Sequence, residues 1–169
     1  MSVADVFVDA FERVRESVHA AVDGLTEDQL AYRVDPAANS IAWLVWHLTR
    51  VQDDHVADVA GHEQAWTADG WRERYGLPFE AADIGYGHVP DEVAELGGTP
   101  RKLLTGYYDA VHQRTIRYVR DLKAADLSRI VDERWDPPVT LGVRLVSVID
   151  DDLQHVGQAA YVRGVLLRR

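Results

Sequence analysis

The chain has 169 residues, of which 47% are hydrophobic, so it is long enough to bury a substantial core in one domain, residues 1–169. Its net charge of −10 argues against nucleic-acid binding, because proteins that bind nucleic acids neutralise phosphates with Lys and Arg. The absence of cysteine excludes disulfides, thiolate metal sites and a cysteine nucleophile, and it leaves His, Asp and Glu as metal ligands.

The first helix is predicted to begin directly after Ser2, a favourable N-cap residue. Apolar residues then recur every three or four positions over residues 3–22, and Gly24 ends the pattern. Thr26 and Gln29 form a capping-box pattern that predicts one short helical turn. This N-terminal region has neither a basic segment nor an apolar signal-peptide core, and no uncharged span of about 18 residues follows. We therefore expect a cytoplasmic protein that does not enter a membrane.

The second helix is predicted to begin after Asn39 or Ser40 and to end at Gly61. Residues 41–48 are apolar all round, which indicates burial on more than one face. The long connection that follows, residues 62–98, lacks periodicity and is rich in aromatic residues and glycine. We predict an irregular, ordered segment with a short helix near its end, which either covers the end of the core or forms a wall of a functional pocket.

The third helix is predicted to begin at Thr99 and Pro100, an N-cap followed by proline at the first helical position. Thr140 is predicted to cap the fourth helix. The helix is predicted to continue without a break, because no proline interrupts residues 141–169. Four long helices without a convincing strand pattern predict an all-α fold, a four-helix bundle with the long irregular connection between helices 2 and 3.

The strongest local signal lies in the fourth helix. Asp151 and His155 are four residues apart, so they are neighbours on one face, with Cβ atoms roughly 5–6 Å apart. The helix around them is mainly apolar, and a carboxylate or imidazole that points inward needs polar partners. Either the two side chains pair with each other and with other polar groups, or they bind a metal ion.

A third ligand has to come from another helix, and His47 is the best candidate because it lies in the most apolar part of the second helix. The alternative for His47 is a buried neutral imidazole bonded to an acceptor. Two imidazoles and one carboxylate suit Zn²⁺ first, with Ni²⁺, Fe²⁺ or Mn²⁺ as alternatives. Three protein ligands leave positions open for water or substrate, which is typical of catalytic zinc sites.

Other histidines and acids give weaker signals. Asp54 lies seven residues after His47, two turns along the same face, and either borders the pocket or belongs to a solvated acidic helix end. His55 is equally ambiguous, and His88 could reach the site from the long connection. The remaining histidines have no partner pattern and are interpreted as surface residues: His19, His62 and His112.

The second and fourth helices together carry a family resemblance. The run NSIAWLVWHL at residues 39–48, joined to the pattern DxxxHxGQ at residues 151–158, resembles the DinB-like superfamily of metal-binding four-helix bundles. That superfamily includes thiol-dependent S-transferases and the N-terminal domain of mycothiol-dependent maleylpyruvate isomerase. The acidic residue at position 151 makes the isomerase branch the closest. Since the sequence ends at Arg169, without the isomerase's further domain, we do not expect maleylpyruvate isomerisation itself.

The resemblance implies that His47, Asp151 and His155 are the metal ligands and that a low-molecular-weight thiol such as mycothiol takes part in the reaction. Gln158, from the same motif, and Arg163, a recurrent family feature, become candidates for the surroundings of the metal. The same role is assigned to further residues of the second helix and of the connection: Asp54, His55, Tyr86 and His88. No catalytic residue is assigned.

Three functions stay open on the sequence. The leading hypothesis is a metal-dependent transferase in which a low-molecular-weight thiol attacks an electrophilic small molecule. A metal-dependent hydrolase that uses bound hydroxide is the alternative enzyme. A metal-binding stress protein without catalysis is the third. A homodimer is also expected, because bundles of this type often pair through outer helix faces.

Overall fold

A computed structural model describes residues 1–168, and it confirms the predicted all-α helical bundle. The four long helices are α1 (Val3–Val22), α3 (Ile41–Ala60), α7 (Arg101–Val119) and α8 (Leu141–Leu166). The shorter elements are α2 (Glu27–Leu30), α4 (Ala65–Ala68), α5 (Trp71–Tyr75), α6 (Pro90–Ala94), a 3₁₀ turn (Ala124–Ser128), β1 (Ile130–Asp132) and β2 (Val139–Thr140).

The four long helices are not arranged in simple chain order. α3 packs most extensively against α8 and also against α7, and α1 packs against the same two helices. α1 and α3 therefore lie diagonally opposite each other, and the long connection after α3 carries the chain to α7. This arrangement brings α3 and α8 side by side, and the predicted ligands lie on these two helices.

The ends of the long helices follow the sequence signals closely. Ser2 forms a reciprocal capping box with Asp5 at the start of α1. Of the two candidates at the start of α3, Ser40 is the cap, because its Oγ accepts a hydrogen bond from the Trp43 amide at 3.1 Å. Gly61 ends α3 with a left-handed φ of 73°, as predicted.

The prediction that Thr99 caps α7 is wrong by one residue. Pro100 has extended backbone angles, φ −72° and ψ 145°, and is itself the cap, so the helix begins at Arg101. The sequence pattern also gave no sign of β1 and β2, which form a small antiparallel ribbon just before α8 and leave the fold all-α. These strands have three and two residues, too few for an alternating pattern to be visible.

The predicted irregular connection, residues 62–98, is partly helical. It contains α4, α5 and α6, and each is too short for a helical period to appear in the sequence. Trp66 is buried in the main core, and Trp71, Tyr75 and Phe79 pack against it. The connection is therefore ordered over the bundle, as its aromatic content predicted. None of the helices within residues 1–168 combines the length and apolar character that crossing a membrane requires.

Candidate metal centre

Two neighbouring helices bring the three predicted ligands together. His47 lies on α3 with only 2% of its surface exposed, and Asp151 and His155 lie on α8. One ligand atom from each of the three side chains lies within 4.8 Å of the other two. On α8, Asp151 Oδ1 is 3.6 Å from His155 Nε2, as the spacing of four residues predicts.

The imidazole of His47 is held in one orientation by the long connection. Its Nδ1–H donates to the carbonyl oxygen of Ile84 at 2.5 Å, which leaves Nε2 as an unprotonated acceptor. The indole of Trp43 stacks on the ring, with centroids 4.6 Å apart and planes 13° apart. Burial lowers the pKa of His47 to about 4, so the ring is neutral at neutral pH and its Nε2 lone pair is available.

His155 is oriented in the same way from its own helix. Its Nδ1–H donates to Gln158 Oε1 at 3.2 Å, and its Nε2 faces Asp151. Burial opposes protonation of this ring, but the hydrogen bond and charge of Asp151 outweigh burial and raise the pKa of His155. Gln158, a residue of the sequence motif, is thus in contact with a predicted ligand.

The donor set is suited to a divalent ion. Both histidines direct Nδ1 to an outer partner, so Nε2 of each is turned toward the other ligands, as in many metal sites whose ligands are oriented by outer partners. Asp151 Oδ2 is buried and has no hydrogen-bond partner among residues 1–168. A buried carboxylate oxygen without a partner is unfavourable unless another group satisfies it. A cation bound between the three side chains would supply that partner.

Gly85 allows the connection to approach His47 closely. Its φ of 96° is in the region that favours glycine, and a Cβ there would lie 2.7 Å from His47 Nδ1 and 3.0 Å from the Trp46 ring. The adjacent Ile84 carbonyl can reach His47 only because position 85 has no side chain. The backbone of the connection is therefore one wall of the site.

His88 anchors this wall and is not directed at the metal centre. Its Nδ1 accepts a hydrogen bond from Trp43 Nε1 at 3.0 Å, and its Nε2–H donates to Asp83 at 3.1 Å. Asp83 also accepts from the Gly85 amide at 2.8 Å. Both ring nitrogens are thus occupied, so His88 offers no free donor atom to a metal and instead contacts the groups that surround His47. These hydrogen bonds join Trp43 to the segment that carries the Ile84 carbonyl, and both groups contact His47.

Replacing Gly85 with alanine should weaken metal binding. The new methyl group would displace the connection from His47 and break the bond to Ile84, and loss of such an outer partner typically costs about 10–100-fold in affinity. Gly87→Ala is the matched control, because Gly87 also has a positive φ, 77°, but a Cβ there meets no atom within 4 Å. Competition titration with a chromophoric chelator measures both. Equal losses in the two variants would mean that backbone strain, and not contact with His47, is responsible.

A polar cleft of about 630 Å³ is lined by residues of the same two helices that carry the predicted ligands, among them Asp54 and His55 of α3 and Arg144 of α8. Asp54 lines it and accepts a hydrogen bond from Gln64 at 2.7 Å. His55 lines it too, and its Nδ1 accepts a hydrogen bond from Arg144 at 3.2 Å. Burial, with the nearby Arg144 charge, lowers the pKa of His55. The cleft thus offers both hydrogen-bond acceptors and a guanidinium.

Tyr86 is the exposed aromatic residue of this wall. Its ring stands edge-on to His47, with centroids 5.3 Å apart, and 62% of its surface is exposed. Burial of the hydroxyl, followed by the Asp151 charge, raises the pKa of Tyr86, so its hydroxyl remains protonated at neutral pH. The structure therefore brings Tyr86 to the predicted site, in a position accessible from solvent.

Two sequence interpretations of charged residues need correction. Arg163 does not reach the metal centre, because its Nη1 donates to the carbonyl oxygens of Asp23 at 2.6 Å and Ala21 at 3.4 Å, at the end of α1. His112 is buried and not a surface residue, since it pairs with Glu12 at 3.4 Å across the bundle. His19 is partly exposed and pairs with Asp109, and His62 is exposed.

Sequence reasoning missed three contributors to the site. The Ile84 carbonyl carries no sequence signal, because every residue has one. Trp43 was visible only as part of an apolar run. Arg144 could have been found, since it precedes Asp151 by seven residues and so lies on the same face of α8.

Comparisons with known proteins show the family of the chain. The model of the mycothiol S-transferase family matches residues 6–167. The chain belongs to that family. Membership confirms the predicted relationship to DinB-like proteins, of which the mycothiol S-transferases are one family. A conserved protein from Enterococcus faecalis, known from its crystal structure, is 31% identical to this family member, with a TM-score of 0.91 over 100% of this chain and 99% of that one. None of the curated proteins matches the chain.

Proposed function

We propose that the chain is a metal-dependent transferase that joins a low-molecular-weight thiol, mycothiol or a similar compound, to an electrophilic small molecule. The observation that carries the proposal is the group His47, Asp151 and His155, whose ligand atoms lie within 4.8 Å of one another in a member of the mycothiol S-transferase family. Zn²⁺ is the ion that we expect first, because two imidazoles and a carboxylate suit it. The cytoplasmic location and the homodimer stay predictions.

The three side chains would hold the ion, and a bound divalent cation lowers the pKa of a thiol so that the thiolate forms at neutral pH. The chain has no cysteine, so the reacting sulfur must come from the cosubstrate. In the overall reaction the sulfur forms a bond to the electrophilic carbon. Where that carbon carries a leaving group, the bond between them breaks with its electron pair and the proton of the thiol neutralises the leaving group; where the carbon belongs to an alkene, the alkene electron pair takes up the proton.

The protein's own groups would bind and orient the reactants. Arg144 and His55 in the polar cleft can bind the polar part of the thiol through hydrogen bonds and charge. Tyr86 keeps its proton and can donate a hydrogen bond to a substrate at the mouth of the site. Nδ1–H contacts keep His47 and His155 in the tautomer that directs Nε2 inward.

The test is metal analysis followed by a conjugation screen. The purified protein is incubated with mycothiol and other low-molecular-weight thiols and a panel of electrophiles, and S-conjugates are quantified by mass spectrometry. We expect thiol-dependent turnover that a chelator abolishes and added Zn²⁺ restores. Turnover that requires water and not thiol would favour the hydrolase. A protein that binds metal but converts no substrate would favour the non-catalytic alternative and contradict the proposal.

A further inference from the structure

A second cleft, of about 400 Å³, is lined by α8 residues that follow His155 in the chain, whereas the α8 residue that lines the polar cleft, Arg144, precedes Asp151. Val34, Leu44, Tyr161 and Val162 are among the residues that line this second cleft. Within residues 1–168 no ionisable Asp, Glu, Lys, Arg or His side chain lines it. Its size is in the range of small-molecule sites, which are mainly apolar with a few polar groups.

The two clefts and the metal centre follow one face of α8. Arg144, Asp151, His155, Gln158 and Val162 recur at intervals of seven, four, three and four residues, so they form one stripe along the helix. Val162 lies seven residues beyond His155, which is about 10 Å along the helix axis. Gln158 belongs to both places, because it lines the apolar cleft and accepts the hydrogen bond of His155.

Gly157 is one of the residues that line this cleft. It lies inside α8, where glycine destabilises a helix relative to alanine. A Cβ at position 157 would meet no atom within 4 Å, so the protein's own packing does not require glycine there. A side chain at this position would instead reduce the free volume of the cleft.

We infer that this apolar cleft binds the electrophilic substrate, and that the substrate is uncharged, with an aromatic or aliphatic body. The inference rests on the proposed function for the reaction, but the binding itself can be measured without turnover. An ionised substrate would lose water in the cleft without gaining a charged partner, which is unfavourable. The polar thiol and the apolar electrophile would then bind beside residues that lie before and after the metal ligands along α8.

An uncharged enone and a carboxylate of the same size make a matched pair of probes. For the enone 4-phenylbut-3-en-2-one, addition forms a bond from sulfur to the β-carbon, and the alkene electron pair takes up the proton of the thiol at the α-carbon. Cinnamate is the charged analogue. We expect saturable binding of the enone by ligand-observed NMR without thiol, at least about tenfold tighter than binding of cinnamate.

Two variants locate the binding. Gly157→Leu should fill the cleft and weaken enone binding at least about tenfold, whereas Gly157→Ala should bind as the wild type does. Tyr161→Ala, which removes an exposed wall, should also weaken binding and provides a second measurement if Gly157→Leu unfolds. Unchanged enone binding in Gly157→Leu would overturn the inference even if thiol transfer is confirmed. If Gly157→Leu instead converts a dimer to a monomer in sedimentation, a second copy of the chain covers the cleft, and the inference is also overturned.

Discussion

His155→Ala should lose stoichiometric metal, with an affinity for Zn²⁺ more than about 100-fold below that of the wild type. The expected loss exceeds the 10–100-fold typical for an outer partner, because a donor atom itself is removed. The variant leaves two donor side chains, His47 and Asp151, and Asp151 Oδ2 already has no hydrogen-bond partner among residues 1–168. Elemental analysis after gel filtration, together with competition against a chromophoric chelator, measures the change.

His47→Ala should lose metal to a similar extent, but it tests the site less cleanly. Its ring is buried under Trp43, so truncation leaves a cavity and destabilises the core as well. Thermal unfolding of the metal-free proteins separates the two effects. His19→Gln is the control that removes an imidazole on α1, where it pairs with Asp109, and it should retain metal. One metal per chain in both alanine variants would show that the ligands are assigned wrongly.

The three ligands could be predicted because two of them are close in sequence and the third is a polar residue in an apolar run. Asp151 and His155 meet through helix geometry alone, whatever the rest of the fold does. His47 stood out as a polar residue in an apolar run, and the family resemblance joined it to α8. The same reasoning failed for Arg163. Its side chain donates to the Asp23 carbonyl at the end of α1, and that contact depends on how α1 packs against α8.

The surroundings of the site could not be predicted, since they depend on backbone atoms and on long-range packing. Nothing in the sequence indicates that the Ile84 carbonyl, and not another, accepts the His47 proton. His88 was expected near the pocket, but its role follows from simultaneous contacts with Trp43 and Asp83. His112 appeared to be a surface residue because its partner, Glu12, is a hundred positions away in the sequence.

One buried side chain links the connection to the helices that carry the site. Arg50 lies on α3, close to His47 in sequence, and is 0% exposed. Its guanidinium donates to the Ala81 carbonyl at 3.1 Å and to the Asp83 carbonyl at 3.2 Å. Asp83 also bonds to His88 and to the Gly85 amide, and these bonds position the backbone next to His47. Arg50 therefore supports both the fold and the site.

The charge of Arg50 is compensated within the same network. Asp53 Oδ2 lies 3.8 Å from Nη1, and Asp53 also accepts from the Tyr107 hydroxyl at 2.8 Å. Nη1 further donates to Gln64 at 2.7 Å and to the Tyr107 oxygen at 3.2 Å. Removal of one partner of a buried pair is costly, because the other charge and several polar atoms are left unsatisfied.

Arg50→Met should therefore destabilise the protein by about 3–5 kcal/mol, which lowers Tm by about 6–20 °C in a chain of this length. Arg50→Lys keeps the charge but not the planar fork that reaches both carbonyls, so we expect a smaller loss of Tm. Arg13→Met, which breaks only an exposed pair with Asp9, should leave Tm nearly unchanged.

Arg50→Met should also bind Zn²⁺ more weakly at a temperature where it is still folded, because the Asp83 carbonyl loses its hydrogen bond from Arg50. Calorimetry and chelator competition measure the two effects, and a Tm like that of Arg13→Met would rule out a supporting role for Arg50.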